Sequence, residues 1–115
     1  MAYDQWLYER VKNVLTEKRV GFEERKMFGG ICFMVDEKMC LGVNNERLMI
    51  RLHPDIYEQV LLEPGCRAMD FTGRPMKGFV YVEDEGIESD ELLGRWIQRG
   101  LDFNPLAKSS KKKKK

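Results

Sequence analysis

Three short runs of strand-forming residues, 27–35, 39–43 and 48–52, follow one another with only the turn residues Asp36-Glu37 and Asn44-Asn45 between them. Connections that short join antiparallel neighbours, so this stretch is expected to form a three-stranded meander. With each pair of turn residues as a two-residue loop, Met34 lies opposite Met39, Cys32 opposite Leu41, Val43 opposite Glu46 and Leu41 opposite Leu48. Side chains alternate along a strand, so this register places Cys32, Met34, Met39, Leu41, Leu48, Ile50 and Leu52 on one face, the expected core. The opposite face collects Ile31, Phe33, Val35, Cys40 and Met49 beside Lys38, Arg47 and Arg51. That is more apolar than a face meeting only water, and it is the candidate dimer face.

Helical periodicity brackets the meander. Leu7, Val11, Val14 and Leu15 recur at helical spacing behind Asp4, a suitable N-cap, which predicts a helix over 4–18 that Gly21 ends. Pro54 opens a short second helix with Ile56, Val60 and Leu61 in one stripe and Tyr57 beside it. Strands are expected at 67–71 and 78–82 around a Thr72-Gly73-Arg74-Pro75 turn. Ser89 caps a last helix bearing Leu92, Leu93, Trp96, Ile97 and Leu101, which Asn104-Pro105 closes. The order α-β(3)-α-β(2)-α predicts a two-layer α+β domain over 1–105, an antiparallel sheet with helices on one face. Residues 106–115, rich in serine and lysine, have nothing to bury and are expected to be a disordered tail.

With 115 residues, 43% of them hydrophobic, the chain has material for one core. Its net charge of +1 hides an asymmetry, because Lys108 and Lys111 to Lys115 lie in the last eight positions. Without those six, 14 basic residues face 19 acidic ones. A body of that sign does not suit polyanion binding, so nucleic acid is expected only as a weak, non-specific partner of the tail. No apolar run approaches the ~20 residues that cross a bilayer and the N-terminus does not read as a signal peptide, so membrane insertion is not expected and the cytoplasm is.

The chemistry-bearing residues are few. Cys32, Cys40 and Cys66 are odd in number and irregularly spaced, as free thiols are in a reducing compartment. They contain no Cys-x-x-Cys pair, and His53 is the lone histidine, so no metal site is expected. A cysteine nucleophile would need His53 as its base, whereas a histidine at a strand end is more simply structural, so no catalytic site and no cofactor are expected. Glu83-Asp84-Glu85 reads as solvated charge before the last helix. Met27-Phe28-Gly29-Gly30 reads as a bend entering the first strand. The Gly73-Arg74 turn, with Lys77 and Arg51, offers cations and flexible backbone and is the candidate contact for a small anion.

Lys26-Met27-Phe28-Gly29-Gly30, Ile31-Cys32-Phe33-Met34, Met39-Cys40-Leu41-Gly42-Val43 and Leu48-Met49-Ile50-Arg51 occur in order, followed by the stretch from Arg67 through Thr72-Gly73-Arg74-Pro75-Met76-Lys77-Gly78 to Val82. Together these resemble the TfoX N-terminal-domain family, and its stand-alone bacterial members in particular, over roughly residues 25–103. The resemblance implies a fold of the type III secretion-chaperone kind, a tendency to pair and a regulatory setting, since named members are competence regulators. It transfers no catalytic residues. The expectation is a non-enzymatic homodimeric binding or regulatory module, its further protein partner unspecified. The alternatives are a nucleic-acid-associated regulator using the tail with Arg47, Arg51 and Arg74, and a small-anion sensor or enzyme at the Gly73-Arg74 turn.

Overall fold

A computed structural model describes residues 3–27, 29–70, 73 and 77–107. The first helix, α1 (Gln5–Glu17), starts where Asp4 Oδ2 accepts the backbone N–H of Leu7 at 2.9 Å, and it buries Leu7, Val11 and Leu15. It ends at Glu17, four residues before the expected glycine at position 21. Arg19 adopts φ 60°, and the N–H groups of Arg19 and Val20 donate to the carbonyls of Thr16 and Leu15. These two bonds satisfy the open carbonyls of the last turn, so the helix ends on an arginine in the left-handed region.

The strands are β1 (Glu23–Met27), β2 (Gly30–Val35), β3 (Lys38–Asn44), β4 (Arg47–Arg51), β5 (Cys66–Ala68) and β6 (Phe79–Val82), and all pairings in the sheet β1-β2-β3-β4-β6-β5 are antiparallel. The helices α2 (Pro54–Val60) and α3 (Asp90–Phe103) complete the α+β fold. The meander thus has four strands where three were expected. β1, reading Glu-Glu-Arg-Lys-Met, has no apolar alternation because it is an edge strand whose first four residues are exposed. Met27 pairs with Gly30, so the two glycines form no bulge: Gly29, at φ 73°, belongs to the β1–β2 turn and Gly30 opens β2. Phe28 lies outside the described residues, as do Phe71, Thr72, Arg74, Pro75, Met76 and the tail from Lys108.

Two local events reset the expected register. Asp36 and Glu37 take φ 53° and 65°, the left-handed pair that a tight two-residue hairpin requires, and Met34 pairs with Met39 as expected. Beyond them Cys40 is an extra residue: Phe33 pairs with Leu41 and Cys32 with Gly42, so the register slips by one. The next turn uses Asn45-Glu46 rather than Asn44-Asn45, because Asn44 pairs with Arg47 and Leu41 with Ile50. A slip of one residue exchanges faces, whereas the later shift of two in the β3–β4 pairing does not.

The two-sided burial therefore differs from the one expected. Leu41, Leu48, Ile50 and Leu52 share the helix-side core with buried residues of α1, α2 and α3, as foreseen, and Ile31, Phe33 and Cys40 join them, with Val35 packed alongside. Cys32, Met34 and Met39 lie in a second cluster with Met49, Met69 and Tyr81, and Met27 and Phe79 pack against it. The residues predicted as a dimer face are thus interior to one chain: Phe33 and Met49 are 0% exposed, Cys40 1% and Ile31 6%, with Val35 half-buried. They also divide between the two clusters, so they do not form one surface.

Candidate functional site

Of the residues predicted to meet an anion, Arg51, Gly73 and Lys77 are among the described residues. Arg51 ends β4 half-buried, its guanidinium carbon 5.4 Å from the Phe79 ring centre and 5.9 Å from that of Phe103. Desolvation lowers its pKa from the ordinary arginine value. Gly73, at φ 88°, donates its N–H to Asp70 O at 2.8 Å as a plain turn does, and Lys77 is exposed. Arg74 is outside the described residues.

The thiols sit in apolar surroundings. Burial pushes Cys32 and Cys40 up to about 12 and Cys66 up to about 11, which holds all three as neutral thiols at ordinary pH. Cys32 and Cys40 belong to opposite sides of the sheet. His53 caps α2, its Nδ1 accepting the N–H of Asp55 at 3.0 Å, and its ring packs edge-on against Phe103 at 5.4 Å. The cap of α2 thus falls to the histidine. No group of three or more acidic, cysteine or histidine side chains among the described residues is arranged to hold a metal ion.

A cleft of about 640 Å³ lies at the other end of the sheet, and it was not foreseen. Three segments distant in sequence build it. Asp4 donates its backbone N–H to Asn45 O, pinning the chain before α1 against the β3–β4 turn, and the Glu83-Asp84-Glu85 segment after β6 supplies the third wall. Arg47 is the one cation in the lining among the described residues, and it is already engaged: its Nη2 donates to Asn44 Oδ1 at 2.7 Å, and its guanidinium carbon stands 3.7 Å from the Tyr81 ring centre. Two of the carboxylates are also committed, Asp4 to the α1 cap and Glu83 to Arg67 Nε at 3.0 Å. The side chains of Glu46, Asp84 and Glu85 are exposed and make no hydrogen bond or ion pair among the described residues, so the cleft presents a surplus of negative charge. Among the described residues its lining holds no cysteine, serine, threonine or histidine. Its lining offers carboxylate oxygens, which carry negative charge and accept hydrogen bonds.

Glu83-Asp84-Glu85 was visible in the sequence, but its role depends on Asp4 and Glu46, which only folding brings near.

An antiparallel sheet carrying three helices, with turns and motifs in this order, defines a small α+β domain. The chain belongs to the TfoX N-terminal domain family, whose model matches residues 15–104. No curated protein and no solved structure matches the chain significantly. No helix among the described residues is long and apolar enough to cross a membrane.

Proposed function

We propose that this chain is a non-enzymatic binding domain of a regulatory kind, and that its partner presents cationic groups to the cleft at the Asn45 end of the sheet. The observation that carries this is the state of the charges there. Among the described residues the only lining cation is spent on Tyr81 and Asn44, while the carboxylates of Glu46, Asp84 and Glu85 remain open. The neutral, buried thiols and the helix-capping histidine support a role without covalent chemistry. Of the residues that suggested a pairing face, Ile31, Phe33, Cys40 and Met49 are buried within the chain and Val35 is half-buried.

The test is calorimetric titration with an acetylated, amidated all-lysine peptide at low salt. Binding is expected to weaken as salt rises, since exposed charges are screened over ~10 Å at 0.1 M. Replacing Asp84→Asn together with Glu85→Gln removes two charge contacts of up to ~1 kcal/mol each, so affinity is expected to fall about tenfold. Unchanged affinity in that double variant would overturn the proposal.

A further inference from the structure

The acidic cleft does not end at the sheet. A smaller hollow of about 170 Å³ shares Asp4, Glu46 and Asp84 with it and continues to Trp6 and Arg10. Those two residues also line a third hollow, of about 430 Å³, between α1 and α3. The three form one track from the β3–β4 turn, past the first turn of α1, into the helix–helix groove.

The chemistry of this track changes along its length. Trp6 stands beside its middle, 72% exposed, although a tryptophan ordinarily buries most of its surface. In the helix–helix groove Val14 is half-buried, and a Cβ placed on Gly94 would meet nothing within 4 Å, so the glycine leaves a notch in the α3 wall. Charge along the groove keeps the sign of the cleft. Arg10 donates to Ile87 O at 2.8 Å and to Asp90 Oδ1 at 3.4 Å, and Lys18 to Gln98 Oε1 at 2.7 Å, which ties both cations to neighbouring groups. Glu9, Glu17 and Asp90 are exposed on the rim.

We infer that the track is the docking surface for a basic peptide segment of another protein, with lysines or arginines over Glu46, Asp84, Glu85 and Glu9, and one aliphatic anchor against Trp6 and the Gly94 notch. Carboxylates on both sides of an exposed indole fit a basic sequence interrupted by an apolar residue, and they repel an acidic one. The inference rests on the reading of the cleft as a cation site and adds the form of the partner. Tyr3, Asp4, Trp6, Glu9 and Val14 precede the span that the family model matches, so the α1 side of the track as far as Val14 lies outside that span.

The full chain is titrated with two peptides of about 12 residues, which extended at about 3.3 Å per residue approach the 44 Å long axis of the molecule. One is all lysine; the other has two central leucines among lysines. The leucine peptide is expected to bind about tenfold tighter. It should also shift the Trp6 emission, with Trp96, 2% exposed, as a constant background. Trp6→Ala is expected to erase the difference between the peptides while leaving all-lysine binding in place, which also reports that the variant is folded. Gly94→Gln, which fills the notch, should act in the same direction. Equal affinities that neither variant changes would overturn the anchor and leave the cleft as a cation site. Absence of binding by both peptides would overturn the two readings together. A Trp6 emission that shifts on removal of residues 108–115 alone would show the chain's own lysines seated there, and would overturn an external partner.

Discussion

Cys32, Cys40 and Cys66 are held well above the usual thiol value of 9.0, at about 12, 12 and 11, with burial as the leading cause. The unfolded chain releases these protons above pH ~9 while the folded chain keeps them, so the unfolded state binds fewer protons and stability falls as pH rises. Burial raises Tyr57 in the same direction. Urea unfolding midpoints are therefore expected to stay level up to about pH 8.5 and to decline through about pH 9 to 11. Cys40→Ala should reduce that slope. A flat profile across the alkaline range would contradict the burial of these thiols, as would rapid reaction of a thiol reagent with the native protein. That the cysteines are free was legible from their number and spacing. Their placement on opposite sides of the sheet was foreseen from a register that is itself displaced, because Cys40 occupies the bulge.

Elements whose ends depend on neighbouring residues were legible. Asp4 and Ser89 cap α1 and α3 because a side-chain oxygen three residues ahead of an open N–H is a local matter. β1 was not legible, since Glu23 to Lys26 are charged and no alternation marks an exposed edge strand. The bulge at Cys40 carries no composition signal either, and by exchanging the faces of β2 it undid the dimer surface. Glycines show the same division between local and tertiary causes. A Cβ on Gly30 would run into the carbonyl oxygen of Val43 and approach Asn44 Cα at 3.0 Å. Gly30→Ala is thus expected to destabilise by more than about 2 kcal/mol, through backbone that must shift. Gly94→Ala, in open space on a helix, is expected to stabilise by about 0.5 to 1 kcal/mol. Equilibrium unfolding in urea measures both, and a similar effect of the two substitutions would show the β2–β3 approach to be looser than described.

At the scale of the molecule, charge divides between a body richer in acid and a basic C-terminal stretch. Both clusters of the core lie within the described residues, which end at Ala107. Removing residues 108–115 is therefore expected to change unfolding free energy by no more than about 0.5 kcal/mol. The same truncation should abolish retention on duplex DNA at low salt, and retention that survives it would assign nucleic-acid contact to the folded body. Periodicity, capping and turn chemistry act over a few residues, so the α+β class, the helix starts, the free thiols and the family motifs are legible along the chain. Which face of β2 meets the helices, and that Asp4, Glu46 and Asp84 line one cleft, depends on packing between distant segments. A bulge flips every side chain beyond it, and carboxylates far apart in the chain become neighbours only when the sheet and helices pack.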